Sequence, residues 1–521
     1  MENELAHTRH LIIAADEVAA KEKLLALGEK IEDGQRDDQL LEIFAQLAEL
    51  YLVRTAYQGT EEGLRRMREI MARYSGGDID RVLLRYTRRA QFLETGLAAA
   101  HGDHETAEAA LLVLTEDTVA APDLAAEYAY LVTYARILCA VALCDDDLHV
   151  RSVPLWEKVI DALDHPDTGG EFDDHLLVIG GTGYGRFCIE TGRLSEAEPW
   201  LRRAGARAEA RGWALATSRT QLERATACWL TGDRAETQRL VHEAYPAIAE
   251  SWRAHEVSKS WLYLGLIAMS IGELDDADER FGHAERHWRE IEKPLHIHRI
   301  LLQRSWVDVF RGDFDAARAR TNEARELLDS WPRHSWLQYA RLDDHLGGIW
   351  RADALADPQH AKEKLERAVE LKVPAALAVD SVRHSIADAD ARMRWATYVS
   401  ARILAGAFAV AWESENTELV SELVEYHSAR GTFSAEPDRE AEAWTGAATV
   451  EVPLEAVEEY ALVASGELPS GGGPALTRLG PLPPLQMDPT TAPIMTRYRD
   501  LAFDRYGRDV TADGAAWSTW P

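Results

Sequence analysis

Apolar and small side chains recur along this chain at a helical spacing, and that spacing is itself repeated. The clearest unit runs Trp261-x-x-Leu264-Gly265-x-x-Ala268, a stripe at i, i+3, i+4 and i+7. Gly272 follows, then Ala277-x-x-x-Phe281-x-x-Ala284, a second stripe at i, i+4 and i+7. Both spacings set their members on one face of an α-helix. Gly272 falls between the stripes, where a tight backbone turn carries no Cβ penalty. The glycine returns every 40 residues, at Gly192, Gly232, Gly272 and Gly312. Second stripes return with it: Ala197, Leu201 and Ala204; Thr237, Val241 and Ala244; Ala317, Thr321 and Ala324. So does a small residue in the first stripe: Gly185, Ala225, Gly265 and Ser305. Weaker copies surround Gly102 with Ala107 and Leu111, and Ala361 with Leu365 and Ala368. A constant period of this length predicts a stacked array of helical hairpins, an all-α fold that grows in one dimension.

The Trp-x-x-Leu-Gly and Ala-x-x-x-Phe-x-x-Ala strings resemble the tetratricopeptide repeat over roughly residues 90–375. The period is longer than that family's usual length of about 34, and Arg289 stands where its closing proline commonly falls. The resemblance implies a right-handed superhelical solenoid whose concave face is made mostly by the first helix of each hairpin. It also implies a scaffold that binds a protein or peptide, not an enzyme. A fold of this kind does not name the partner.

Outside the array, four helices are predicted before residue 97: Leu24–Ile31, Asp38–Arg54, Glu61–Tyr74 and Ile79–Leu97, with turns at Gly34, Gly59 and Gly76-Gly77. Residues 1–90 thus read as N-terminal hairpins or a cap, and 91–375 as the repeat array. Asp145-Asp-Asp147 and the run from His165 to Gly170 read as turns within it. Residues 376–432 read as helices closing the array, notably Met393–Ala411 and Glu418–Ser428. Residues 433–489 form a Gly/Pro-rich linker unsuited to helix or central strand. Residues 490–521 form a docking segment with one helix over Ile494–Tyr506. Its Tyr498, Leu501, Phe503, Tyr506, Trp517 and Trp520 are too apolar a load to leave in water, so burial against the array or a partner is expected.

The Gly480-Pro-Leu-Pro-Pro484 string, with Tyr498-x-x-Leu501-Ala502 and Arg505-Tyr-Gly507, resembles tails of actinobacterial repeat proteins associated with caspase-like CHAT proteases. His101-Gly102 follows an alanine-rich helix rather than an apolar strand, and no cysteine occurs after Cys228. The resemblance therefore implies a non-catalytic companion of such a protease, in bacterial signalling or defence.

Charge narrows the partners. A formal net charge of −31 opposes nucleic acid, whose affinity comes from cations neutralising phosphates, and opposes an anionic membrane surface. No signal-peptide pattern begins the chain, and no stretch is expected to reach the roughly 18 apolar residues of a spanning helix. Cys188 and Cys228 stand 40 apart, with Ala268 next in the same place. The four cysteines thus read as core residues of a cytoplasmic protein rather than a disulfide or metal framework. The partner class is another protein or peptide, with a homo-oligomer compatible, and no cofactor is implied.

Several strings carry possible chemistry. Leu176-Leu-Val-Ile-Gly180-Gly-Thr-Gly-Tyr-Gly185 resembles a strand entering a phosphate-binding turn. It lacks the Gly-Lys-Ser/Thr ending, and Gly185 sits in the register of Gly265, so close helix packing is expected. An enzyme or ligand pocket at 180–185 is the alternative, and a small-peptide sensor is another. His296-Ile-His298 diverge on a helix, Asp388 and Asp390 lack the rest of a calcium loop, and no metal site is expected. Trp200, Trp229, Trp261, Trp288, Trp306, Trp331, Trp336 and Trp350 crowd the array and are expected mostly to fill space between helices. A minority would line the groove with Arg202, Arg203, Arg224, Arg304 and Arg320. The partner-binding candidates are Arg224, Trp261, Arg304, Trp517 and Trp520.

Overall fold

The computed structural model describes every residue except 1, 32–35, 76–77, 118–120, 147, 165–169, 252, 333, 386–394, 430–483, 488–491, 512–514 and 519–521. The expected turns at Gly34, Gly76-Gly77 and His165–Gly169, the Asp388/Asp390 pair, most of the linker and Trp520 lie outside the described residues. The described chain is an all-α helical repeat with twenty-one helices, in two compact units, Met1–Ser260 and Trp261–Pro521.

Unit 1 contains α1 (Glu2–Ile13), α2 (Glu17–Gly28), α3 (Asp37–Val53), α4 (Tyr57–Arg73), α5 (Ile79–Ala100), α6 (His104–Thr115), α7 (Ala125–Asp145), α8 (His149–Asp164), α9 (Glu171–Glu190), α10 (Leu194–Arg211), α11 (Ala214–Thr231) and α12 (Arg234–Glu250). Helix α13 (Ala254–Ser270) runs across the division. Unit 2 continues with α14 (Leu274–Glu290), α15 (Pro294–Phe310), α16 (Phe314–Ser330), α17 (Trp336–Ala356) and α18 (Ala361–Ser381). A π-helical turn, Trp395–Ser400, leads into α19 (Ala401–Glu413), then α20 (Thr417–Ala429) and α21 (Thr496–Tyr506). β1 (Leu485–Gln486) pairs in parallel with β2 (Trp517–Ser518), Leu485 opposite Trp517.

One turn joins the two helices of each hairpin. Gly192, Gly232, Gly272 and Gly312 have φ of 76°, 87°, 83° and 78°, a conformation that costs other residues about 1–2 kcal/mol. The N–H of the next residue donates back five positions: Arg193 to Cys188, Asp233 to Cys228, Glu273 to Ala268, Asp313 to Asp308, at 2.7, 2.9, 3.0 and 2.9 Å. This 6→1 bond satisfies a helix-terminal carbonyl. Where aspartate follows the glycine it also starts the next helix: Asp233 and Asp313 accept from the N–H of Glu236 and Ala316, both at 3.0 Å. Gly-Asp therefore ends one helix and caps the other.

The stripes form the seam between helices. Ala197, Leu201 and Ala204 are fully buried, as are Thr237, Val241 and Ala244, and Ala277, Phe281 and Ala284. A Cβ on Gly185 would stand 2.5 Å from Leu201, and one on Gly265 would stand 2.6 Å from Phe281. Hence the string at 180–185 is helix throughout, its glycines turned to neighbouring side chains. Gly59, expected in a turn, lies inside α4 for the same reason, with Tyr51 2.6 Å from its Cβ position.

Two expectations need correction. The stretch Pro122–Asp145 is long and apolar enough to cross a membrane, and most of it is buried inside the fold. Its buried residues, among them Tyr130, Tyr134 and Cys139, make it a core helix of unit 1. The tryptophans of the array are mostly half-buried, with Trp288 the buried exception among the eight. Guanidiniums cover several: Arg203 on Trp200, Arg234 on Trp229, and Arg318 with Arg367 on Trp350, at 5.4, 3.5, 4.3 and 5.0 Å. An indole face attracts a cation while its rim stays wet, so these rings seal the surface rather than fill the interior.

Residues 492–511 pack onto unit 2, as does Leu485, which falls within the stretch expected to be linker. Ile494, Met495, Ala502, Tyr506 and Val510 join the apolar cluster of α17, α18, α19 and α20. Tyr506 donates to Asp343 at 2.7 Å, and Arg505 to the Glu370 carbonyl at 2.7 Å. Among the described side chains of the set expected to be buried, Phe503 stays exposed.

Candidate functional site

A solenoid hairpin normally touches only its neighbours. Helix α1 breaks that rule. Its first turn reaches α3, where Gln46 donates to the Leu5 carbonyl at 2.9 Å and Thr8 donates to Gln46 at 2.7 Å. Its middle reaches α7 and α9: Arg9 lies 3.7 Å from Glu127 and 4.9 Å from the Phe172 ring, and His10 meets Glu171. Its end, Ile13, packs with Val178, Ala208 and Trp213. The following helix is tied down by Glu17, which pairs with Arg54 at 3.4 Å and with Arg253.

Helix α1 and helices α3, α5, α7, α8, α9 and α10 enclose a cavity of about 1020 Å³. Leu5, Tyr86, Tyr130, Phe172, Leu176 and Leu177 line it, with Arg9, Arg85, Arg203 and Arg207 opposed by Glu42, Glu127, Asp161 and Asp174.

A buried charge network backs its floor, where Glu42, Arg85, Tyr86 and Glu127 face the cavity. Arg89 bonds Glu42 at 2.5 Å and lies 4.0 Å from Glu127, while Tyr86 and Gln46 donate to Glu42 at 2.9 and 2.8 Å. Burial alone would push the Glu42 carboxyl up, but Arg89, Arg9 and Arg85 hold it far below the usual carboxylate range. Arg85 bonds Glu127 at 2.8 Å, yet Glu127 Oε1 is buried with no hydrogen bond of its own. His175 lies within hydrogen-bond distance of the Tyr130 hydroxyl, 2.9 Å, against the rings of Tyr134 and Trp213. Burial first, then the charges of Arg9, Arg219 and Arg253, push this imidazole down to about 3. The lining is therefore charge-compensated, with a neutral histidine behind Tyr130.

The sequence candidates are scattered. Arg203 lines the cavity, bonding Asp164 at 3.1 Å. Arg224, on α11, lies 3.5 Å from Glu198. Trp261 is half-buried with its ring 5.0 Å from His283. Arg304 is committed to Asp278 and Glu285 at 2.8 and 2.7 Å. Burial would raise both carboxyls, and Arg304 holds them below their ordinary values. Trp517 lies in β2. Arg9, Glu42, Arg85, Arg89 and Tyr130 were missed. The available signal was the charged and aromatic i, i+4 pairs, Arg85/Arg89 and Tyr130/Tyr134, inside otherwise apolar helices.

One further convergence has no sequence spacing to reveal it. Cys144, His149 and Glu190 bring ligand-type atoms within 4.8 Å of one another. Burial pushes the Cys144 thiol far up and keeps it protonated, and Arg186 bonds Glu190 at 2.8 Å. One hairpin earlier, His104 meets Asp146 at 2.9 Å as His149 meets Glu190 at 3.0 Å. The histidine–carboxylate contact is thus a joint between hairpins. His298, on a helix as expected, bonds the Ala324 carbonyl at 3.0 Å, and His296 stacks on Trp288.

No known family profile matches the chain, and no curated protein does. Among solved structures, it is similar to the apo form of RapI at 11% identity and a TM-score of 0.41, covering 72% of this chain and 99% of that one. It is similar to a Rap protein complexed with Competence and Sporulation Factor at 16% identity and a TM-score of 0.41, covering 72% and 98%. A circular tandem repeat protein matches at 14% identity and a TM-score of 0.19, covering 80% and 90%. At such scores these likenesses carry no weight for function.

Proposed function

We propose that the chain is a protein- or peptide-binding scaffold whose ligand enters the unit 1 cavity. The observation that carries this reading is the cavity itself, about 1020 Å³ between α1 and the stacked helices of unit 1. Its walls combine aromatic faces, compensated charges and an unmet acceptor, Glu127 Oε1. Ligand pockets of this size mix apolar surface with a few fixed polar groups. A peptide supplies both, with backbone N–H groups for Glu127 and side chains for Tyr130 and Phe172. Arg224 in unit 1, and Trp261 and Arg304 in unit 2, are proposed as further contacts with a protein partner. Trp517 and Trp520 are proposed likewise. The narrower reading, a caspase-like protease as partner in a defence system of the cytoplasm, rests on the tail string around Gly480 and Tyr498.

The test selects peptides from a random phage-displayed library against the full chain. Phe172→Ala and Tyr130→Phe should weaken the selected peptides at least tenfold, and a photo-crosslinker on the peptide should label α1, α7 or α9. Peptides indifferent to both substitutions, or crosslinked elsewhere, would refute the cavity as the site.

A further inference from the structure

Unit 2 presents large apolar side chains along one edge. Ile271, Phe310, Leu355 and Trp412 are 61%, 60%, 68% and 74% exposed. Each stands within one residue of the end of the first helix of its hairpin: α13, α15, α17 and α19. Ion pairs join the turns in series. Arg311 reaches back to Asp275 at 2.5 Å and to the Leu274 carbonyl at 3.3 Å, tying the Phe310 turn to the Ile271 turn. Arg318, in the first turns of α16 after the Phe310 turn, reaches Asp353 near the end of α17 at 2.6 Å. Arg351 holds Glu413 at 2.7 and 2.5 Å, tying α17 to the end of α19. The four side chains thus belong to adjoining turns of one edge, not to scattered surface.

Single exposed apolar residues are ordinary, whereas a series rimmed by polar groups marks an interaction site. Three of them are followed two or three positions later by an exposed carboxylate, Glu273, Asp313 and Glu415, while Asp357, after Leu355, already holds Lys364 at 2.9 Å. Helices packed side by side stand roughly 8–10 Å apart. Two turns of an α-helix span about 10.8 Å, so a helix with an apolar residue every seventh position matches that pitch. We propose that this edge docks a cationic amphipathic helix of another protein, its apolar face on Ile271, Phe310, Leu355 and Trp412 and its lysines or arginines on the flanking carboxylates. The inference is independent of the unit 1 cavity.

The test uses the full chain and a synthetic 21-residue helix carrying leucine on one face and lysine on the others, with a leucine/glutamate twin. Binding is read by fluorescence anisotropy. The lysine peptide should bind and the glutamate peptide should bind at least tenfold more weakly. Phe310→Ser with Trp412→Ser should weaken the lysine peptide tenfold or more, and Ile271→Ser with Leu355→Ser similarly. Leu112→Ser with Val113→Ser, exposed in unit 1, should change it less than twofold. Circular dichroism checks that each variant remains folded; the substituted side chains are exposed. No binding to the parent chain, or equal binding by both edge variants, overturns the proposal. So does sedimentation showing a parent dimer that the edge variants make monomeric, which would give the edge to a second copy.

Discussion

The two units share one repeat and are finished in opposite ways. Unit 1 turns charged and aromatic side chains of its stacked helices toward a cavity, with Arg89 paired to Glu42 behind its floor. Unit 2 closes α17 and α18 under an apolar cluster completed by a segment from the chain's end. The turn glycines and small-residue seams are the same in both. The difference comes from what lies outside the repeat: α1 contributes Arg9 and His10, whereas α21 contributes Ala502 and Tyr506. In such an array the repeat fixes stacking, and the non-repeating segments decide whether a face becomes a site or a core.

The largest expected effect breaks unit 2 alone. Deleting residues 468–521 removes Leu485, Ile494, Met495, Tyr506 and Val510 from the core. Each large side chain is worth about 1.5–3 kcal/mol, as an upper bound. Hydrogen exchange should show α17 and α18 losing protection by several kcal/mol while α3 and α5 keep theirs. Unchanged protection in α18 would end the contrast. Tyr506→Phe sharpens it, removing the donor to Asp343 at a cost of about 1–3 kcal/mol.

Next is unit 1. Arg89→Ala leaves Glu42 buried without its main cation, and removing one partner of a buried pair costs about 3–5 kcal/mol. The loss should appear in α3 and α5. Arg89→Met together with Glu42→Leu should recover most of it, because an apolar replacement of both charges is often neutral. A single variant that loses under about 1 kcal/mol would mean the floor is not held by this pair.

Each unit also holds a neutral histidine, and here the units should agree. His345 in unit 2 is pushed down to about 3 by burial, then by His298 and Lys372, as His175 is by its own surroundings. An unfolded histidine titrates near about 6.5. Below that pH the unfolded chain takes up a proton that the folded chain refuses. Stability therefore falls as pH drops from about 6.5 toward 3, by about 1.4 kcal/mol per pH unit for each histidine. Between pH 6.5 and 5 that is about 2 kcal/mol per histidine. His175→Gln should flatten the slope in unit 1 exchange only, and His345→Gln in unit 2 only. A slope that survives both substitutions assigns the proton uptake elsewhere.

What the sequence disclosed follows from distance along the chain. The turn at Gly272 and the seam of Ala277, Phe281 and Ala284 are local, so their spacing reveals them. Burial of Tyr506 was legible from its place in an apolar segment, but not its acceptor, Asp343, which lies 163 residues away. The cavity floor was illegible because Glu42 and Arg89 are 47 residues apart and no periodicity links them. Helix α1 was harder still. Leu5 and Ile12 mark an apolar face, but nothing local says that it crosses to Val178. The tryptophans misled because a heavy ring fits both an interior gap and a surface platform beneath arginine.

The smallest effect tests the premise that one repeat underlies both units. Gly232 in unit 1 and Gly312 in unit 2 adopt φ of 87° and 78°, and a Cβ on either meets nothing within 4 Å. Alanine at these places therefore pays only the left-handed backbone cost of about 1–2 kcal/mol, with no packing term. Gly232→Ala and Gly312→Ala should destabilise their own units by the same amount, read from exchange of the two helices each turn joins. Gly282→Ala supplies the opposite sign. It lies within α14 with its nearest contact, Arg304 Nη1, at 3.9 Å, so alanine should stabilise by about 0.5–1 kcal/mol. Equal losses at the two turns would confirm that the units diverge only in what covers their faces. A loss at Gly312 with none at Gly232 would mean that the turn in unit 1 has slack that the turn in unit 2 lacks, and the difference would begin in the repeat itself.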